Sequence, residues 1–185
     1  MEKDRKALEE KLKEWFEWFH RNPELSYEEY ETTEKIRSIL EQEGIEVLPC
    51  ELETGLVAIV RGEERGPVQA LRCDIDALPI EEESGLPYSS GIAGKMHACG
   101  HDFHILAGIG CAILAQEQRE RLKGDVKIIF QPGEETSLGA LKILETDVMD
   151  DVEKIWGIHA DPTNQVGVLG ISGGYVTAAV DRFVI

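Results

Sequence analysis

Short runs rich in β-branched residues, IEVL at 45–48, LVAIVR at 56–61 and VQALR at 68–72, are separated by glycine or proline turns, and VKIIFQ at 126–131 and KIWGIHA at 154–160 repeat the pattern further on. Such runs read as strands. Strands that alternate with helices imply an α/β sheet covered by helices. No internal repeat or low-complexity tract interrupts the alternation.

The helices follow from the apolar period. Leu8, Leu12, Trp15, Phe16 and Phe19 lie on one stripe and predict an amphipathic helix from about Asp4 to His20. Arg21-Asn22-Pro23 breaks it. Ser26, followed by Glu28 and Glu29, reads as the N-cap of a second helix that runs through Leu40 to about Glu43 and is closed by Gly44. Residues 73–98 read mostly as loop, punctuated by Pro79, Gly85, Pro87, Gly91 and Gly94. Helices from about Gly100 to Leu122 and from Leu138 to Glu145 complete the set. From Val166 onward a strand, a turn at Gly170, Gly173 and Gly174, and a new strand Tyr175 to Ile185 are expected. That last strand stops on Phe183-Val184-Ile185, an apolar edge of the kind domains avoid, so the sequence reads as a fragment of a longer chain.

Composition narrows the partners. The 185 residues, 42% hydrophobic and 30% charged, are globular in character and predict one domain, at most one and a fraction. With 36 acidic against 19 basic side chains the net charge of −17 repels phosphate backbones and anionic membranes, so neither nucleic acid nor a membrane is an expected partner. The N-terminus is charged from its second residue and shows no secretory signal. The run Ile105 to Ala115 is too short to cross a bilayer, which needs about 20 residues. Four cysteines without a paired spacing suit reduced thiols in the cytoplasm.

Three stretches carry candidate chemistry. In MHACGHDFH, residues 96–104, Cys99 and His101 sit two apart at the expected start of a helix; thiolate and imidazole are good zinc ligands, although a lone C-x-H pair can equally be a buried thiol beside a polar cap. A redox role for Cys99 finds no resolving cysteine nearby in sequence. In FQPGEET, residues 130–136, Glu134 and Glu135 follow a strand end, where an open α/β sheet presents its functional loops. One of two adjacent carboxylates can hold a metal while the other acts as general base. Taken alone, the pair reads as solvated helix-start acids. His159 ends a third apolar run, where a single histidine is commonly a hydrogen-bonded core residue. The three together favour a metal site.

The motifs HRNPELSYEEYET, LRCDIDALPI, MHACGHDFH, FQPGEE and GIHADPTNQVGVLG, in this order, resemble the aminoacylase and hippurate-hydrolase branch of the dinuclear metallopeptidases, from about Phe16 to Ile185. Relatives in that branch include N-acetyl-diaminopimelate deacetylases and auxin-conjugate hydrolases. The resemblance implies a three-layer, zinc-exopeptidase-like catalytic domain with a mixed, largely parallel sheet between helices. It also implies a smaller lid and dimerisation domain, and a homodimer or tetramer. Here residues 1–172 would be the N-terminal part of the catalytic domain and 173–185 the start of the lid. By motif, Cys99, His101, Glu135 and His159 would be metal ligands. Glu134 would be the general base that takes a proton from the attacking water and returns it to the leaving amine of an N-acyl amino acid. The site would hold two divalent ions, zinc, manganese, cobalt or nickel. Asp74 and Asp76 read either as acids that orient a ligand histidine or as turn acids closing a strand. Related branches carry a ligand histidine where Asp74 stands. His97, Asp102 and His104 would shape the helix that presents the ligands, and His20 and Pro23 would shape a helix end.

Two departures accompany the resemblance. The family supplies a further histidine ligand near its C-terminus, and no histidine follows His159 here. Only the first strand of the lid, from Tyr175, is expected. The 185 residues alone are therefore expected to bind metal weakly and turn over little substrate unless another chain completes them. The competing reading is a non-catalytic module that pairs its apolar strand with a full-length partner.

Overall fold

The structure, a computed structural model, describes residues 2–171 and 174. Helices α1 (Glu2–Arg21) and α2 (Tyr30–Gln42) lead into strands β1 (Glu46–Leu48), β2 (Leu56–Val60) and β3 (Val68–Asp74). After a long loop come α3 (His101–Glu117), β4 (Val126–Gln131), α4 (Gly139–Leu144) and β5 (Val152–Gly157). The sheet order is β1-β2-β4-β3-β5. β2 runs antiparallel to β1 and β4, whereas β3 is parallel to β4 and β5. The expected mixed sheet is therefore present, but among the described residues its ladders are evenly divided rather than largely parallel.

Period-two alternation sorts the strand residues between two cores. On one face α1, α2 and α3 bring Phe19, Ile36, Leu40, Ile105 and Ile109 against Leu56, Ala58, Cys73, Ile128 and Phe130. On the other, Ile143 of α4 and Val148 of the following 3-10 turn cover Val57, Ala70 and Ile129. Three layers result. α3 is apolar over most of its circumference because it lies between the sheet and the outer helices α1 and α2. It approaches the sheet at Gly108, where a Cβ would stand 2.9 Å from both Cys73 Sγ and Phe130 Cε1.

Several boundaries differ from the sequence expectation. Ser26 does not cap α2, which begins at Tyr30. The capping acceptor is the Glu24 carboxylate, which takes the N–H groups of Glu31 at 3.1 Å and Thr32 at 2.7 Å. The shorter Ser26 hydroxyl donates instead to Asp76 Oδ2 at 2.6 Å. The helix expected to reach Leu122 ends at Glu117 and continues as a 3-10 turn, Arg119–Arg121, because residues 116–121 carry no apolar face to pack. β5 stops at Gly157, leaving His159 and Ala160 beyond it; the Ala160 N–H bonds to the His104 side chain instead of a ladder partner. No strand forms at 166–171: those residues are exposed, and no strand among the described residues lies beside them to pair. The expected domain boundary at 172–173 and the strand Tyr175 to Ile185 lie outside the described residues.

Candidate metal centre

The C-terminal ends of β3, β4 and β5 and the start of α3 point into one region, the usual location of function in open α/β sheets. β3 delivers Asp74 and, two residues later, Asp76. β4 ends in the 132–137 turn that carries Glu134 and Glu135. Gly100 adopts φ +79° between Cys99 and His101, a left-handed conformation that glycine takes without steric cost. Across this turn the Cys99 thiol and a His101 ring nitrogen come within 4.8 Å of each other.

Hydrogen bonds fix the tautomers of two histidines. His101 Nδ1 donates to the Asp76 carbonyl at 2.8 Å and lies 3.2 Å from Asp76 Oδ1, which leaves Nε2 as the lone-pair nitrogen. His159 Nδ1 donates to the Ala160 carbonyl at 2.7 Å, so its Nε2 lone pair faces Cys99 Sγ at 3.6 Å. One ligand atom from each of Cys99, His101 and His159 lies within 4.8 Å of the others, and the same holds for His101, Glu134 and Glu135. His101 Nε2 and Glu135 Oε1 face each other at 3.7 Å. Both are buried without a hydrogen-bond partner among the described residues. Orphaned buried acceptors aimed at one another are costly unless a cation lies between them. The thiol, imidazole and carboxylate donor set thus fits a divalent metal.

The two aspartates hold different groups. Asp76 accepts from His101 through Oδ1 and from the Ser26 hydroxyl and the Glu135 N–H through Oδ2, so one buried carboxylate orients both an imidazole and the glutamate turn. Burial would raise its pKa, but these bonds and the His101 charge hold it below the usual range. Asp74 is closed by His104 Nδ1 and Arg72 Nη1, each at 2.5 Å. His104 Nε2 accepts from the Ala160 N–H at 2.7 Å, which ties the segment bearing His159 to α3. Asp102 bonds His20 rather than facing the cluster. His97 is buried, neither of its nitrogens has a partner among the described residues, and burial lowers its pKa to about 4, so it is uncharged.

The local field is negative. Burial, then the charges of Asp74 and Glu135, push the Glu134 carboxyl up. Burial and Glu135 raise the Cys99 thiol to about 11. Burial lowers the His101 pKa, but Asp76, Asp74 and Glu135 more than offset it and raise the value overall. Such a concentration of carboxylates invites a cation.

The groups that support the site carry little chemical signature in the sequence. Arg72 bridges Asp74 and Gln131, with its Nε 2.9 Å from Gln131 Oε1. Glu29 accepts the Gly133 N–H at 2.8 Å. Their only sequence signal was position: Arg72 lies in the aspartate motif, and Glu29 lies in a motif read as a helix start.

Comparisons with known proteins accord with this site. The chain is 52% identical over 165 residues to an N-acetylcysteine deacetylase of Bacillus subtilis, covering 89% of this chain and 43% of that protein. It is 39% identical over 180 residues to an IAA-amino acid hydrolase of Arabidopsis thaliana, covering 94% of this chain and 41% of that protein. Among solved structures, the YxeP protein of Bacillus subtilis, described as a dinuclear metal-binding peptidase of the M20 family, superposes with a TM-score of 0.90 at 49% identity, over 91% of this chain and 48% of that one. The chain thus spans about half the length of the relatives it matches. No helix among the described residues is long and apolar enough to cross a membrane. The profile of peptidase family M20/M25/M40 matches residues 70–182, more than half of the sequence and every residue of the candidate metal cluster, and the chain belongs to that family.

Proposed function

We propose that the chain is the ligand-bearing part of a metal-dependent amidohydrolase that splits the amide bond of N-acyl amino acids or related conjugates into a carboxylic acid and an amino acid. The observation that carries this reading is the convergence of His101 Nε2 and His159 Nε2 with Cys99 and the Glu134–Glu135 pair. A divalent cation, when bound, polarises an amide carbonyl and lowers the pKa of water. Glu134, its carboxyl already raised by burial and neighbouring carboxylates, takes the proton of the attacking water and passes it to the leaving amine. Asp76 keeps His101 in the tautomer whose Nε2 is free to ligate.

The names of the relatives, an N-acetylcysteine deacetylase and an IAA-amino acid hydrolase, support N-acyl amino acids as the substrate class. Zinc suits the donor set, and manganese, cobalt and nickel are compatible with it. The dinuclear description of the Bacillus structure supports two ions per complete site. Four free cysteines agree with a cytoplasmic setting. The homodimer or tetramer that the family implies belongs to the same reading.

The test is release of free amino acid from N-acetylcysteine and an indole-acetyl amino acid after metal loading. It is run with the chain alone and with the chain co-expressed with the C-terminal half of the Bacillus relative. Turnover is expected in the completed pair and should fall at least about 100-fold in Glu134→Gln, with metal content unchanged. Equal turnover in the variant would overturn the assignment of the base.

A further inference from the structure

The motif at 20–32 contributes no member of the metal cluster, yet it reaches the turn that carries Glu134. Glu29 is fully buried. Its Oε1 accepts the Gly133 N–H at 2.8 Å and its Oε2 accepts the Thr54 hydroxyl at 2.8 Å. Its own backbone is pinned by the Thr33 hydroxyl, which donates to the Glu29 carbonyl at 2.6 Å and accepts the Gly55 N–H at 2.8 Å. Tyr27 lies beside it at φ +66°, a strained conformation for an aromatic residue. Its ring sits so close to Gly133 that a Cβ there would be 2.5 Å from Tyr27 Cε1, and its hydroxyl accepts from Thr136 Oγ1 at 3.2 Å. On the far side of Glu134, the Glu135 N–H ends on Asp76 Oδ2 at 3.0 Å. The peptide N–H groups flanking Glu134 thus each end on a buried carboxylate, and such charge-assisted bonds are among the stronger hydrogen bonds.

We propose that Glu29, with the Tyr27 ring against Gly133, is a positioning residue that sets the place of Glu134 and Glu135 opposite His101. What Glu134 then does rests on the amidohydrolase reading; the positioning itself does not. Pro132 has no N–H and Gly133 stands past the end of the β4 ladder, so Glu29 is the partner that keeps the Gly133 N–H from being a buried orphan.

Hydrogen exchange on the metal-free 185-residue chain tests this. Glu29→Ala should speed exchange in residues 132–137 by about 10- to 100-fold while α3 and β4 keep their protection. Glu29→Gln retains an oxygen for Gly133 and turns its amide toward Thr54 Oγ1, which can accept, so exchange should stay within about threefold of the parent. Tyr27→Asn tolerates the left-handed backbone but removes the ring, and should loosen the same turn; it carries the test if Glu29→Ala does not fold. Cobalt titration followed by absorbance should show weaker binding in Glu29→Ala and recovery in Glu29→Gln. Unchanged exchange at 132–137 in the folded variants, or an equal rise across α2, α3 and β4, overturns the proposal. Failure of the parent chain to take up cobalt would count against the amidohydrolase reading and leave the exchange result standing by itself.

Discussion

At the scale of single residues the decisive groups are the ones whose protons must move. Cys99 carries its proton at neutral pH, because burial and Glu135 raise its pKa to about 11. A thiol of that kind is a poor redox nucleophile, which weighs against the reading of the CGH stretch as a redox site. With Cys99 as a proposed ligand it also makes metal affinity pH-dependent, since the ligating form of a cysteine is the thiolate. Affinity should rise about tenfold per pH unit above neutrality. Calorimetric titration in buffers of differing ionisation enthalpy should count about one proton fewer released in Cys99→Ser, and equal counts would remove Cys99 from the ligand set. These residues were legible because their types are chemically restrictive: thiol, imidazole and paired carboxylate have few reasons to stand at strand ends. Glu29 and Tyr27 were not legible, since a glutamate before a helix looks like a solvated dipole partner until the fold buries it against Gly133.

At the scale of elements the site depends on how α3 is seated. Gly108 lets the helix lie against β3 and β4, and a methyl group there meets Cys73 Sγ and Phe130 at 2.9 Å within a packed core. Gly108→Ala should therefore destabilise the chain by about 1–3 kcal/mol despite alanine's better helix propensity, seen as a lower denaturation midpoint. The start of α3 is also tied to α1 and to the 79–98 loop through His20, whose Nδ1 meets Asp102 at 2.6 Å and whose Nε2 meets Glu82 at 3.1 Å. The Asp102 bond raises the His20 pKa against the opposing effect of burial. Glu82 is raised by burial, but bonds from Ser84, the Ser90 N–H and His20 bring it down to about 2. A raised histidine stabilises below its unfolded value near 6.5 and ceases to as pH climbs through the folded one. The lowered Glu82 stabilises above its unfolded value near 4.5 and ceases to as pH falls toward about 2. His20→Gln should thus cost about 1–3 kcal/mol near pH 6 and clearly less near pH 9 in urea unfolding. An equal cost at both would mean that folding leaves the His20 pKa unshifted, against the His20–Asp102 ion pair. The sequence marked His20 only as a helix end, since its partners lie 62 and 82 residues away.

At the scale of the whole molecule, strands with partners inside the described residues were readable and the one without was not. β4 begins and ends where its apolar run does, flanked by β2 and β3. Residues 166–171 have apolar side chains at Val166, Val168, Leu169 and Ile171 but no neighbouring strand among the described residues, so β-propensity alone does not make them a strand there. β5 shows the other consequence. Among the described residues it forms one edge of the sheet, with Ile155 at 52% and Trp156 at 60% exposure, in a chain that spans about half the length of its relatives. An apolar strand with one unpaired edge is a template for pairing with another chain, and the chief force opposing it here is the net charge of −17. Raising salt from about 0.01 M to about 1 M shortens the Debye length from about 30 Å to about 3 Å and removes that repulsion while strengthening apolar contact. Sedimentation should then show association growing with salt. Ile155→Lys combined with Trp156→Lys should abolish the growth, because lysines on both faces of an edge strand resist desolvation against a second sheet. If the doubly substituted chain associates as strongly as the parent, the contact lies elsewhere, with the exposed Leu141 and Leu144 of α4 the next surface to substitute.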